Sequence, residues 1–440
     1  MIEVRSGDEN VRKLLPLTQL CTDKQYVPSQ FALPFKHHEK DYIFNTLTKQ
    51  CVVGVLPPFA KAGQEFDDLI DARFLIPVDS DECDLYNSVF SLLKSFYRKK
   101  DICSYTILPT TACNARCTYC FEEGREAVSM TPETVEQTVR FILNTHRNES
   151  VNLSWFGGEP LLRPDIIDRI CTSLREAGVK YNSTMISNGS LITPEIVKKM
   201  KQEWLLTNIQ LTMDGSEKEY ISRKRYIIYL DYYHKVMQTI SDMSEAGILV
   251  TVRCNVDEAN WEDMFQLLED MKTQIVNKDN VFLYFTPLFQ IRASENDVTV
   301  WKRVEAVRSA AERSGFKAGN SFSPSIQNLR MNHCMADLGH VAIGPDGSLY
   351  PCEQCPTISR YGDIWQGAVD ETVRTDFCRM DRTREKCRKC SFLPNCTNFA
   401  CCPVYDYNCQ EVQKYLTVNA VKRLIDEGEE KAEAGETSTC

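Results

Sequence analysis

Cys113, Cys117 and Cys120, in the run TACNARCTYCFEE, stand in a C-x3-C-x2-C spacing behind an apolar stretch. Three thiolates this close surround one corner of a metal centre and leave one position open. A structural zinc site closes with four ligands, and a fully ligated [4Fe–4S] cluster also takes four cysteines. The triplet therefore predicts an iron–sulfur centre whose remaining iron is reserved for a substrate or cofactor. A zinc knuckle completed by a distant ligand is the competing reading.

Alternating units position these residues. Strands are expected at Tyr105–Leu108, Val151–Trp155, Tyr181–Ile186, Asn208–Thr212, Leu249–Cys254 and Val281–Phe285. Helical periodicity falls between and after them, at Thr131–Thr145, Asp165–Ala177, Pro194–Lys201, Leu230–Glu245, Trp261–Lys272 and Val298–Ser314. Such alternation argues for parallel βα units. Six are too few to close an eight-fold barrel, so the expected fold is α/β with an open, partial (β/α)6 TIM-like barrel. In barrels the chemistry sits on loops after the strands' C-terminal ends. The cysteine triplet follows the first strand, Gly157-Gly158-Glu159-Pro160 the second, Ser187-Asn188-Gly189 the third and Asp214-Gly215 the fourth, while Arg253 lies near the end of the fifth. Each polar or glycine-rich group thus falls at the catalytic end of its unit.

The 440 residues allow two to three domains. The expected division is a module over 1–100, the barrel over 101–320, a Cys-rich unit over 321–415, and a C-terminal helix with a frayed tail over 416–440. In the first unit KDYIFNTLTKQCVVGV reads as two strands, Tyr42–Asn45 and Cys51–Val55. ARFLIPV adds another β-rich run before an apolar helix pattern around Leu85–Tyr97. This is a small α+β module. Ten of the twenty cysteines crowd between Cys334 and Cys409. The start, MIEVRSGDENVRK, is charged throughout and has no apolar core, so no signal peptide is expected. A reducing cytoplasm follows, where clustered thiols point to metal rather than disulfides. A net charge of −10 argues against a nucleic-acid partner. No apolar run approaches the roughly 18 residues that span a membrane.

Together the motifs resemble the radical S-adenosylmethionine (SAM) family over roughly residues 104 to 290. The resemblance implies that Cys113, Cys117 and Cys120 hold a [4Fe–4S] cluster chelated by SAM and that Tyr119 approaches adenine. Gly157, Gly158 and Glu159 would receive the methionine ammonium, with the glycines letting backbone approach the ligand and the carboxylate pairing with the cation. Ser187 and Asn188 would contact the ribose, and Arg253 would pair with the methionine carboxylate.

The later cysteines resemble the SPASM extension of that family: Gly347-SLYP-Cys352, then Cys387-RK-Cys390-SFLPN-Cys396. The resemblance implies two auxiliary [4Fe–4S] clusters, three in all. Cys387, Cys390, Cys396 and Cys409 would hold one. Cys334, Cys352, Cys355 and either Cys401 or Cys402 would hold the other, with Cys378 as a spare. Glu353 stands where sulfatase-maturing relatives keep a base; a solvated loop carboxylate is the equal alternative. Asp214-Gly215 reads as a structural turn, and Arg223-Lys224-Arg225 as a solvated basic loop. The six histidines show no metal-site spacing.

The resemblance extends to maturases of ribosomally made (RiPP) peptides, enzymes that install a thioether or carbon–carbon crosslink. The FNTLT hairpin resembles their winged-helix-like leader-binding elements, which capture an extended peptide at a sheet edge. A ribosomal precursor peptide and a reducing partner such as flavodoxin or ferredoxin are the expected partners. A sulfatase-maturase-like enzyme that oxidises Cys or Ser to formylglycine is the alternative. A non-catalytic electron-transfer protein would have no use for the Gly157–Glu159, Ser187-Asn188 and Arg253 set.

Overall fold

A computed structural model describes residues 23–63, 66–97, 101–228, 230–288, 298–320, 339–354, 360–377, 385–396 and 411–433. The positions expected of Cys334, Cys355, Cys378, Cys401, Cys402 and Cys409 lie outside the described residues.

The amino-terminal module contains β1 (Gln25–Pro28), β2 (Ala32–His37), β3 (Lys40–Asn45), β4 (Cys51–Val53), β5 (Ala60–Lys61), α1 (Asp67–Asp71), β6 (Leu75–Pro77) and α2 (Glu82–Tyr97). Its strands form two three-stranded sheets, β2-β3-β4 and β5-β1-β6, with every pairing antiparallel. Asn45 builds the turn between β3 and β4: its Oδ1 accepts from Leu47 N at 2.9 Å and Thr48 N at 3.0 Å. A short polar side chain that bonds its own backbone two residues on is a standard turn former. The pair Tyr42–Asn45 and Cys51–Val55 read from sequence is present as β3 and β4.

The barrel begins with β7 (Ser104–Thr110), α3 (Pro132–Thr145), β8 (Ser150–Gly157), α4 (Pro164–Glu176), β9 (Lys180–Ser187) and α5 (Pro194–Gln202). It continues with β10 (Leu206–Thr212), α6 (Glu217–Lys224), α7 (Tyr232–Glu245), β11 (Leu249–Val256), α8 (Asp263–Gln274), β12 (Val281–Pro287), α9 (Thr299–Arg313) and β13 (Lys317–Asn320). All six expected strands and all six expected helices are present. Thr131 and Thr193 cap α3 and α5, each ahead of a proline, and Asp231 caps α7. Such caps satisfy N–H groups that a helix leaves unpaired. On α4, Ile166, Ile167, Ile170, Cys171 and Leu174 are buried at helical spacing and face the sheet. Every pairing from β7 through β13 is parallel.

The sheet continues past residue 320. β14 (His340–Ile343), wholly buried, pairs parallel with β7, while β15 (Ser348–Tyr350), β16 (Gly362–Asp363) and β17 (Gly367–Ala368) extend it antiparallel. The result is an eleven-stranded open sheet, ordered β13-β12-β11-β10-β9-β8-β7-β14-β15-β16-β17. It is an α/β partial barrel, as expected. The remaining helices are α10 (Glu371–Phe377), α11 (Glu385–Arg388) and α12 (Glu411–Glu433). Among the described residues no helix is long and apolar enough to cross a membrane.

Packing joins the two ends of the chain. Tyr42, Phe44 and Cys51 share a core with Val421 and Ile425 of α12. His37 Nε2 and His38 Nε2 both meet Asp426 Oδ1, at 2.6 and 2.8 Å. Phe31, Leu47, Tyr86 and Phe90 enclose Leu393, and Cys387 packs against them. The amino-terminal module therefore sits directly on the second cysteine segment.

Candidate active site

The cysteine loop leaves the C-terminal end of β7 and is held by backbone on both sides. Thr111 N donates to Val128 O at 2.8 Å, and Thr118 N to Arg223 O at 2.9 Å. Cys113, Cys117 and Cys120 are all half-buried. Burial pushes the Cys113 thiol up to about 11 and raises Cys120 as well. Thiolates here need a cationic partner, which iron supplies. Two groups of three possible ligand atoms lie within 4.8 Å of one another, His37–His38–Asp426 and Glu217–Asp231–His234, and the three cysteines are not among them. The structure also gathers histidines with acids that their sequence spacing did not reveal.

Gly157 and Gly158 end β8 against this loop. Gly157 has φ +119°, and a Cβ there would lie 2.2 Å from Thr110 O; one on Gly158 would lie 2.3 Å from Ala112 O. The glycines thus permit a close approach of chain to chain. Glu159 is fully buried. Its carboxylate accepts from Ser187 Oγ at 2.8 Å, Asn188 N at 2.8 Å and Leu161 N at 3.1 Å. Burial still raises its pKa against these three donors. The carboxylate expected to pair with an ammonium is engaged by protein N–H and O–H groups, and it ties the end of β8 to the end of β9.

Asn188 is bonded into the cysteine loop. Its Nδ2 donates to Asn114 Oδ1 at 2.8 Å, and Asn114 Nδ2 donates to Ser190 Oγ at 2.9 Å. Tyr119 donates its hydroxyl to Asp214 Oδ2. Burial, reinforced by the Asp214 charge, holds Tyr119 protonated far above its usual range. Asp214 Oδ1 also accepts from Asn255 N and Nδ2, at 3.1 and 3.0 Å. Asn255 Oδ1 in turn accepts from Arg253 Nε at 3.0 Å. Arg253 is half-buried on β11. Lys224 Nζ lies 3.9 Å from Asp214 Oδ2, with both groups buried, and 5.7 Å from the Tyr119 ring centre.

These contacts extend one expectation and correct another. Asp214 has a structural role wider than its turn, because it links Tyr119 to the Arg253 strand. Arg223 and Lys224 are not solvated. Arg223 makes a two-pronged bond to Asp257, at 2.7 and 2.9 Å, and also donates to Glu219; only Arg225 of the three is exposed. Asn114, Lys224 and Asn255 were missed from sequence. Asn255 had a signal, since it stands two residues after Arg253 and shares its strand face.

In the second cysteine region Cys352 is buried, and its thiol donates to Glu353 Oε2 at 3.4 Å. Glu353 is half-buried, and burial raises its carboxyl above the ordinary range. Cys387, Cys390 and Cys396 lie half-buried along consecutive turns, with Cys390 N donating to Cys387 O at 3.1 Å and Cys396 N to Leu393 O at 3.3 Å. Three thiols on consecutive turns suit a cluster.

Residues 107–271 match the Radical SAM superfamily. The chain is 24% identical over 272 residues to the Probable GTP 3′,8-cyclase of Methanothermobacter marburgensis, covering 58% of this chain and 85% of that protein. It is 25% identical over 318 residues to the AdoMet-dependent heme synthase of Methanosarcina barkeri, covering 65% and 88%. Identity to Molybdenum cofactor biosynthesis protein 1 of Bos taurus is 33% over 268 residues, 55% of this chain but 40% of the relative. Among solved structures, native anSMEcpe with bound AdoMet aligns with TM-score 0.58 and 20% identity, covering 74% of this chain and 99% of that one. Streptococcus suis SuiB bound to precursor peptide SuiA aligns with TM-score 0.54 and 13% identity, covering 88% and 99%. At these identities the structures speak to fold. With the superfamily match lying over β7 to α8 and the cysteine loop at the head of that barrel, the chain carries a radical SAM domain and is a SAM-dependent enzyme.

Proposed function

We propose that this enzyme is a radical SAM/SPASM peptide maturase that installs a thioether or carbon–carbon crosslink in a ribosomally made precursor. The observation that carries the reading is the reach of the likeness to SuiB bound to precursor peptide SuiA. It covers 88% of the chain, against 74% for anSMEcpe. A cluster and SAM held at the cysteine loop would supply the radical chemistry that removes one hydrogen from the peptide. Cys113, Cys117 and Cys120 hold that cluster. Tyr119, Gly157, Gly158, Ser187, Asn188 and Arg253 receive SAM, and Glu159 acts by fixing Ser187 and Asn188. Cys387, Cys390, Cys396 and Cys409 hold one auxiliary cluster. Cys334, Cys352, Cys355 and Cys401 or Cys402 would hold the other, and such a cluster would supply an acceptor for the leftover electron. Glu353 takes the second hydrogen as a proton. The leader adds as a strand to the edge of β2-β3-β4, and a flavodoxin or ferredoxin supplies reducing electrons in the cytoplasm.

A sulfatase-maturase-like activity is the second reading, favoured by the higher TM-score of anSMEcpe and by the Glu353 position. The test is incubation of reconstituted enzyme, SAM and reductant with synthetic peptides made from any short open reading frames adjacent to its gene. The expected product is lighter by about two hydrogens per crosslink and resists opening by reductants. Conversion of a Cys or Ser to an aldehyde instead selects the second reading. Glu353→Gln is expected to keep SAM cleavage while slowing product formation by about 10²–10⁴-fold, the usual loss for a missing general base. An unaltered peptide alongside turnover of a nucleotide or porphyrin rejects both readings.

A further inference from the structure

The turn between β3 and β4 projects a charged side chain into the second cysteine segment. Lys49 is 1% exposed, and its ammonium donates to Asn395 Oδ1, next in sequence to Cys396. The turn is firmly built: Lys49 N donates to Asn45 O at 2.8 Å, and Thr46 Oγ1 donates to Ser391 O at 2.6 Å. An ammonium offers only donors, so it fixes the Asn395 amide with its oxygen toward Lys49 and its NH2 group turned away. The flipped amide would set donor against donor. That NH2 group, Asn395 Nδ2, is buried and has no partner among the described residues. An amide donor left unpaired in a protein interior is costly, so a native one is expected to meet an acceptor. The residue that follows it, Cys396, carries one thiol of the proposed cluster, whose sulfurs accept such bonds.

We propose that Asn395, oriented and polarised by Lys49 of the amino-terminal module, donates a hydrogen bond to the cluster held by Cys387, Cys390 and Cys396 and raises its reduction potential. The inference rests on the auxiliary cluster of the proposed function. Hydrogen bonds to cluster sulfur and nearby positive charge both favour the reduced, more negative cluster, and these are the means by which proteins set such potentials. Asn395 and Lys49 are tuning residues that touch no substrate. Through them, the module proposed to bind the leader also adjusts one of the two proposed auxiliary centres.

The experiment uses full-length protein reconstituted anaerobically, with Cys113, Cys117 and Cys120 replaced by alanine so that only auxiliary signals remain. A potentiometric titration followed by electron paramagnetic resonance reads the signal that Cys387→Ala removes. Asn395→Asp, nearly the same size, replaces the donor by an acceptor and neutralises Lys49; Lys49→Met removes the charge. Both are expected to move the midpoint to more negative potential at unchanged iron content, whereas Lys49→Arg keeps it close to wild type. An unchanged midpoint in Asn395→Asp and Lys49→Met, with iron retained, overturns the inference and leaves the auxiliary cluster standing. Absence in the parent protein of any signal that depends on Cys387 overturns the cluster reading, and the inference with it.

Discussion

Ser187 Oγ donates to Glu159 Oε1 at 2.8 Å, joining the ends of two neighbouring strands across 28 residues of chain. The same carboxylate holds Asn188 N and Leu161 N, so it acts as a clip for the loop that follows β9. Glu159→Gln turns one accepting oxygen into a donor. One charge-assisted bond is worth about 1.5–3 kcal/mol, and SAM affinity is expected to fall at least about tenfold with iron content unchanged. Equilibrium binding and iron analysis check both. The pH dependence has a definite sign. Burial holds the native carboxyl above its ordinary 4.5, so the native state binds this proton more tightly than the unfolded chain. Its contribution to stability is greatest below 4.5 and declines as pH rises through the native value. Glu159→Gln should flatten that decline in denaturant titrations.

Gly158→Ala tests the contact between β8 and the cysteine loop. The added methyl group would meet Ala112 O at 2.3 Å and Thr111 O at 2.5 Å, both backbone atoms. Overpacking of this kind costs about 1–3 kcal/mol, and here it displaces the loop that carries Cys113. The expected outcome is a folded protein that loses SAM cleavage and part of its iron. Gly428→Ala on α12, where the added group meets nothing within 4 Å, is the control. It should keep full activity and gain up to about 1 kcal/mol of helix stability.

The barrel was legible because its signals are local. The Thr-Pro caps at Thr131 and Thr193 mark helix starts without reference to the rest of the chain. The cysteine spacing and the placement of Gly157, Ser187 and Arg253 at strand ends were legible for the same reason. Partnerships across long sequence separations were not. Nothing near Lys49 in sequence points to Asn395, 346 residues away, and nothing near His37 points to Asp426, 389 residues away. Arg223 and Lys224 read as a solvated loop because charge composition favours solvent, yet Asp257 and Asp214 provide buried counter-charges and Glu219 a half-buried one. The His340–Ile343 strand was missed because a histidine and three apolar residues beside clustered cysteines carry too little period to mark an element.

Arg223 and Asp257 are both largely buried, at 9% and 12% side-chain exposure, in a two-pronged ion pair. Removing one partner of a buried pair leaves an uncompensated charge and typically costs about 3–5 kcal/mol. Arg223→Met is therefore expected to lower stability by that order. Because Thr118 N hangs on Arg223 O, it should also loosen the cysteine loop and reduce SAM cleavage. Arg225→Ala, two residues on and exposed, should change stability by less than about 0.5 kcal/mol. Equal destabilisation by the two substitutions would mean that the Asp257 pair contributes nothing.

Metal content separates the two cysteine sets. With one cluster at the barrel and two in the carboxy-terminal region, anaerobic reconstitution should load about twelve irons, if each cluster has the usual four. Replacing Cys113, Cys117 and Cys120 together with alanine should remove about one third of that iron and abolish SAM cleavage, while the auxiliary signals persist. Cys387→Ala should do the reverse: it removes iron from the second region, leaves the loop at the head of β7 loaded, and leaves slow, peptide-independent SAM cleavage measurable. The loops differ in what supports them, since one is held by β8 and the residues ending α6 and the other by the β3–β4 turn and α2. Loss of one is therefore not expected to unseat the other. Stoichiometric zinc in the anaerobically purified protein, with no iron dependent on Cys387, would reject the auxiliary-cluster assignment while leaving the radical SAM domain intact.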